Sequence, residues 1–114
     1  MARVVVVDDD SAILHLIADA LRLEGYEVRD AANGLEALEI ARAWRPDVLI
    51  TDLSMPELDG AETIRRLRRD PATQGIRIVV CSALASQLDR EALAADAIVA
   101  KPFDIDELLN AVAG

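Results

Sequence analysis

Val48-Leu49-Ile50-Thr51-Asp52 is the stretch that decides the fold. It is an apolar, partly β-branched run that stops at a carboxylate. Pro46-Asp47 precedes it, and the turn-rich segment Ser54-Met55-Pro56-Glu57-Leu58-Asp59-Gly60 follows it. A run that short between such breakers reads as a buried strand. Other apolar runs in the chain end in polar groups in the same way, and that repetition sets both the architecture and the chemistry.

Upstream, Arg3-Val4-Val5-Val6-Val7-Asp8 does not alternate with polar residues, so it reads as a strand buried on both faces. Asp8, Asp9, Asp10 and Ser11 follow, and Asp10 or Ser11 can cap a helix whose apolar positions are Ile13, Leu14, Ile17 and Leu21. Gly25 supplies the stop. Tyr26 to Ala31 is a more polar strand, as expected at a sheet edge, and Asn33-Gly34 turns into a helix carrying Leu35, Leu38 and Ala41 that ends at Arg45-Pro46. Downstream of Asp52, Ala61, Ile64 and Leu67 form the stripe of a third helix, with Arg65, Arg66, Arg68 and Arg69 on the opposite face. Ile76 to Cys81 is a strand ending at Ser82. Ser86 to Ala95 reads as a short alanine-rich helix. Ala97 to Ala100 is a strand ending at Lys101-Pro102. Asp104 caps a last helix, with Glu107 three residues on, whose stripe is Ile105, Leu108, Leu109 and Val112.

Five strands alternating with five helices predict an α/β domain with a parallel sheet. Ligands of such sheets bind outside the carboxyl ends of the strands. Four of the five strands end there in Asp8-Asp9, Asp52, Ser82 and Lys101.

Composition bounds the rest. A chain of 114 residues with 53% apolar content is expected to be one domain, residues 1–114, with a core of its own and no output domain within it. The single Cys81 excludes an internal disulfide and fits a reducing compartment. No apolar run approaches the ~18 residues of a membrane span, and the N-terminus does not read as a signal peptide, so a cytoplasmic location without membrane attachment is expected. Net charge of −9 and one each of Trp, Tyr and Phe disfavour direct nucleic-acid binding and favour metal ions or cationic partners.

Carboxylates gathered at one place need a cation. Two of them about 4 Å apart repel by about 4 kcal/mol at an effective dielectric of about 20. Lys101 supplies one positive charge, and Mg²⁺, which prefers hard oxygen ligands, would supply two more. An aspartate carboxylate can attack phosphorus to form an acyl phosphate. Catalysis of that step is mostly positioning and charge neutralisation, for which Lys101, the Ser82 hydroxyl and backbone N–H groups are suited.

The segments Val7-Asp8-Asp9-Asp10-Ser11, Ile50 through Gly60, Val80-Cys81-Ser82-Ala83 and Ala100-Lys101-Pro102-Phe103, in this order, resemble the receiver domain of two-component response regulators, over essentially the whole chain. The resemblance implies the doubly wound, flavodoxin/CheY-like (βα)₅ fold with strand order 2-1-3-4-5. It implies that Asp52 is the phosphoacceptor, that Asp9 ligates Mg²⁺ directly with Asp8 assisting through water, and that the Ser54 backbone carbonyl completes the protein ligands. It makes Ser82 the switch hydroxyl and Lys101 the phosphoryl-oxygen ligand, with a cis Lys101–Pro102 peptide. The implied phosphodonor is a phosphohistidine on a sensor histidine kinase or phosphotransfer protein, and the output goes to a downstream protein or output domain. Such a domain assists its own phosphorylation and dephosphorylation and is not a turnover enzyme. Receivers usually carry an aromatic residue where this chain has Ile98, and the segment between Ser82 and Lys101 is about three residues shorter than usual, without the common Gly-Ala pair. Both departures fall on the face that normally reports phosphorylation.

A phosphorylation-independent interaction module is the alternative, and a Mg²⁺-dependent phosphohydrolase with an Asp52 nucleophile is a further one. Haloacid-dehalogenase-like enzymes want a second acid where Ser54 stands. His15 and the Arg65–Arg69 face read as solvated surface, the latter also as a docking face for an acidic partner. Cys81 reads as a small core residue and Trp44 as a cover for a helix end. Asp10 is either a cap or a kinase contact.

Overall fold

A computed structural model describes residues 2–53 and 58–114. Five strands, β1 (Arg3–Val7), β2 (Glu27–Ala31), β3 (Val48–Thr51), β4 (Arg77–Ser82) and β5 (Ala97–Ala100), form one sheet in the order β2-β1-β3-β4-β5. All four pairings are parallel. The helices are α1 (Ser11–Leu23), α2 (Gly34–Trp44), α3 (Gly60–Arg69), α4 (Arg90–Leu93) and α5 (Ile105–Ala113). The expected doubly wound α/β fold with strand order 2-1-3-4-5 is the fold observed.

The two faces of β1 explain why its valines do not alternate with polar residues. Val4 and Val6 pack with Leu14, Ile17 and Leu21 of α1 and Leu108 of α5. Val5 and Val7 pack with Ala37 and Leu38 of α2 and Ile64 and Leu67 of α3. Each of the four valines is a core residue of one layer or the other, and full burial of such a side chain is worth about 1.5–3 kcal/mol. At the edge, β2 has only Ala31 buried, as its polar sequence requires.

Capping follows the sequence closely. Asp10 accepts the N–H groups of Ala12 and Ile13 at the start of α1, so of its two readings the structure shows the cap. Asn33, Asp59 and Asp104 cap α2, α3 and α5. The buried stripe of α3 differs from the expected one. Gly60, Thr63, Ile64 and Leu67 face inward, while Ala61 is half-buried, because the helix begins at Gly60 and its first turn lies against the preceding loop.

The segment read as one helix from Ser86 to Ala95 is not one. It is a 3₁₀ turn, Ala85–Gln87, followed by the single turn of α4. Asp89 intervenes as an N-cap, accepting from Glu91 and Ala92, so its side chain starts a new helix. Ala94 ends that helix in the left-handed region, with φ 58. Alanine helix propensity is overridden at both ends.

Arg68, expected on a solvated face, fastens this junction. Its Nε donates to the Ala94 carbonyl at 3.0 Å, and Nη1 donates to the Gln74 and Ile76 carbonyls at 2.7 Å each. Nη2 donates to Asp96 Oδ2 at 2.9 Å, and that oxygen also accepts the Ile78 N–H at 2.7 Å. One guanidinium thus joins α3, the entry to β4 and the entry to β5. Trp44 is the last residue of α2, and the guanidinium carbons of Arg3 and Arg29 lie 5.4 and 4.6 Å from its ring centroid.

Left-handed alanine costs about 1–2 kcal/mol, against about 0.4–1 kcal/mol that glycine loses through its freer unfolded chain. Ala94→Gly should therefore raise stability by roughly 0.5–1 kcal/mol, a gain of a few degrees in Tm readable by thermal unfolding. Asp96 gives a pH signature. Burial pushes its carboxyl toward the neutral form, but the Ile78 N–H and Arg68 outweigh it and lower the pKa from its ordinary 3.8. A lowered folded-state pKa contributes stability above the unfolded value, lost as pH falls through the folded one. The Tm deficit of Asp96→Asn relative to the parent should hold from neutral pH to about pH 5 and shrink below 3.8.

Candidate functional site

The sheet order reverses between β1 and β3, and the polar strand ends meet in front of that point. Val7 lies opposite Thr51 in the register, so Asp8 and Asp52 leave the sheet side by side. The ladder runs one residue past the strands, through Asp8 N–H to the Ala31 carbonyl, Asp52 N–H to the Val7 carbonyl and Lys101 N–H to the Ser82 carbonyl. Each site residue therefore has its backbone anchored while its side chain points off the sheet end.

Lys101 Nζ donates to Asp8 Oδ2 at 2.9 Å and to Asp52 Oδ2 at 3.1 Å. The Asp8 side chain is only 3% exposed, and its other oxygen accepts the Asp10 N–H at 2.9 Å. Asp52 Oδ1 accepts the N–H of Leu53 at 2.7 Å. Burial pulls the Lys101 ammonium toward its neutral form. The hydrogen bonds and charges of Asp8 and Asp52 win, and its pKa stands above the ordinary lysine value. Lys101 is also the only lysine in the sequence, the other eleven cations being arginines.

Asp9 is exposed beside this pair. One carboxylate oxygen from each of Asp8, Asp9 and Asp52 lies within 4.8 Å of the others. Three hard oxygen donors, three negative charges and one lysine are a donor set that fits a small divalent cation. The Ser54 carbonyl, expected as a further ligand, lies outside the described residues.

Ser82 is buried at the end of β4, and its Oγ accepts the Leu84 N–H at 3.1 Å. The sequence placed it in this cluster, and it stands at the same sheet end, with its hydroxyl oxygen held by its own loop. The Lys101–Pro102 peptide is cis, as expected. Cys81, beneath the site, is buried, and burial pushes its thiol up to about 11, which keeps it an unreactive core residue. His15 is exposed. Ile98 is half-buried on the α2–α3 side of the sheet. It lines a groove of about 500 Å³ with Ala85, Ser86, Glu107 and Ala111.

The loop after Asp52 carries a feature not read from the sequence. Leu53 and Gly60 close its neck through a 2.9 Å bond from the Gly60 N–H to the Leu53 carbonyl. A Cβ on Gly60 would overlap the Asp52 carbonyl oxygen and lie 2.8 Å from the Leu53 Cα. The Asp59-Gly60 pair was legible as a turn, but this close approach was not.

Fold and site together define a doubly wound switch-point domain with a lysine-bridged carboxylate cluster. The chain belongs to the response regulator receiver domain family, whose model matches residues 4–113. It is 37% identical over 114 residues to sporulation initiation phosphotransferase F of Bacillus subtilis, covering 96% of this chain and 90% of that protein. It is 36% identical over 115 residues to the DNA-binding dual master transcriptional regulator RpaA of Synechocystis, covering 98% of this chain but 48% of RpaA. The chain thus spans about half the length of that relative. Among solved structures it resembles the chemotaxis response regulator CheY4 of Vibrio cholerae, with TM-score 0.91, 32% identity and coverage of 99% and 97% of the two chains. It also resembles the receiver domain of sensor histidine kinase PA1611 of Pseudomonas aeruginosa, solved with a magnesium ion coordinated in the active site cleft. There the TM-score is 0.90 and the identity 30%, over 97% and 93% of the two chains.

Removing Lys101 would leave the buried Asp8 carboxylate beside Asp52 without a cation. Breaking a buried pair this way costs about 3–5 kcal/mol. Lys101→Met should lower metal-free stability by about 3 kcal/mol, the low end because Asp52 is partly exposed. Asp9→Asn, which removes only an exposed like charge, should raise it slightly. Chemical denaturation in chelator checks both.

Proposed function

We propose that this receiver domain accepts a phosphoryl group on Asp52 and thereby switches its affinity for a downstream protein. The observation that carries the reading is the placement of Asp52 between Lys101 and the carboxylates of Asp8 and Asp9. A carboxylate oxygen of Asp52 would form the new O–P bond. The P–N bond of a phosphohistidine on a sensor kinase or phosphotransfer protein would break, its electron pair going to the imidazole nitrogen. Lys101, already cationic, would neutralise a phosphoryl oxygen. Ser82 would give up its bond from Leu84 and donate its hydroxyl to the phosphoryl group.

Asp8, Asp9 and Asp52 would hold Mg²⁺, with the Ser54 carbonyl as a further ligand. When bound, the ion supplies positive charge against the developing phosphoryl charge. The PA1611 receiver, with magnesium in its cleft, supports that assignment. An apolar groove of about 240 Å³, lined by Ile13, Leu16, Pro102 and Phe103, borders Lys101. It would seat an apolar part of the donor within reach of Asp52. RpaA is a DNA-binding regulator, and by analogy the output here would pass to a transcription-related partner or domain. A cytoplasmic setting goes with the phosphoacceptor reading; no helix among the described residues is long and apolar enough to cross a membrane.

Acetyl phosphate with Mg²⁺ should add one phosphoryl group per chain, detected by intact mass, and Asp52→Ala should abolish it. Equal labelling of Asp52→Ala would overturn the assignment. Partner binding that is unchanged by labelling would instead favour a phosphorylation-independent module.

A further inference from the structure

The loop from Asp52 to Asp59 leaves β3 and enters α3, and two helices start against it on glycine. At both positions the surrounding packing leaves no room for a side chain. Gly60, the first residue of α3, abuts the Asp52 carbonyl, as described above. Gly34, the first residue of α2, abuts the far end of the same loop. A Cβ there would overlap Thr63 Oγ1 and lie 2.5 Å from the Leu58 carbonyl oxygen.

Thr63 is fully buried although its side chain is polar. Its hydroxyl donates to the Asp59 carbonyl at 2.8 Å, and its N–H reaches the same oxygen at 3.0 Å. Asp59 Oδ1 in turn accepts the Glu62 N–H at 2.8 Å. Gly34 therefore rests on the hydroxyl that holds the loop's exit, while Gly60 closes on its entry. Neither glycine φ lies in the left-handed region, so it is space and not backbone conformation that excludes a side chain at these positions.

We propose that Gly34 and Thr63 form a seat that sets the position of Leu58 to Gly60 against Asp52 and Leu53, and are positioning residues for phosphoryl transfer. This deepens the phosphoacceptor reading and rests on it. Neither residue touches the reacting atoms. They act through Asp59, Gly60 and Leu53, whose N–H is bonded to Asp52 Oδ1. The seat also ties the start of α2 to Leu58 and Thr63.

Three variants test it. Thr63→Val keeps the shape, removes the hydroxyl and puts a methyl against Gly34. Thr63→Ser keeps the hydroxyl. Gly34→Ala fills the seat from the other side. In the metal-free protein, Thr63→Val and Gly34→Ala should shift the amide NMR resonances of Leu53 and Gly60, and Thr63→Ser should leave them near their original positions. With acetyl phosphate at saturating Mg²⁺, the first two should label Asp52 at least threefold more slowly, and Thr63→Ser within about twofold of the parent. A purely structural role would lower Tm without changing the labelling rate of the folded protein. The seat is refuted if Thr63→Val and Gly34→Ala leave the Leu53 and Gly60 resonances in place, or move them while labelling at the parent rate. If the parent itself takes no label, the phosphoacceptor reading falls, and with it the role in phosphoryl transfer; the amide shifts then decide whether the seat exists as a structural element.

Discussion

The double ion pair of Lys101 is the interaction on which the site depends. Asp8 and Asp52 are delivered side by side by the register of β1 and β3, and neither strand can move one without losing its place in the core. Two carboxylates so close, one of them buried, require a cation at the same depth. The ammonium comes from β5, on the far side of β4, roughly 10 Å from β3 at the usual strand spacing of about 4.8 Å. A long, flexible stem suits that span. The same contact links the first, third and fifth strands at their working ends, so the electrostatics of the pocket and the closure of the sheet's upper rim are one arrangement.

Much of this was legible because burial on two faces leaves a plain mark. The valines of β1 and the run before Asp52 have no polar alternation, and the sheet buries both of their sides. Polar strand ends are equally plain, and Asp8, Asp52, Ser82 and Lys101 were found by asking where apolar runs stop. The α4 region was misread for a physical reason. Alanine-rich sequence favours helix locally, but an Asp89 cap and the Arg68 bond to the Ala94 carbonyl divide and end it through contacts that propensity does not contain. Arg68 itself was hidden among four arginines of similar spacing, and its role depends on four partners from residues 74 to 96. The packing of Gly34 and Gly60 was also invisible, since a glycine in a turn and a glycine in a tight contact look alike in sequence.

The one-turn α4 and the half-buried Ile98 lie on one flank of the sheet, where a groove beside Ile98 is lined by β5, the segment after β4 and α5. Its entry strand and its exit are fastened by Arg68 and Asp96, while the segment from Ser82 to Asp89 is held by a turn bond to Ser82 Oγ and a one-turn 3₁₀ helix.

Lys101 being the only lysine has a chemical consequence. Apart from the chain's α-amino group, every reagent that acylates, alkylates or cross-links amines has a single side-chain target on this domain, and it is the one at the centre of the pocket. There the side chain is 15% exposed and its nitrogen is protonated and hydrogen-bonded to two carboxylates, a state with no free lone pair. Its reactivity is a built-in reporter. Whatever draws Asp8 or Asp52 away from the ammonium changes the rate of one covalent reaction at one side-chain atom, with no other lysine to mask it.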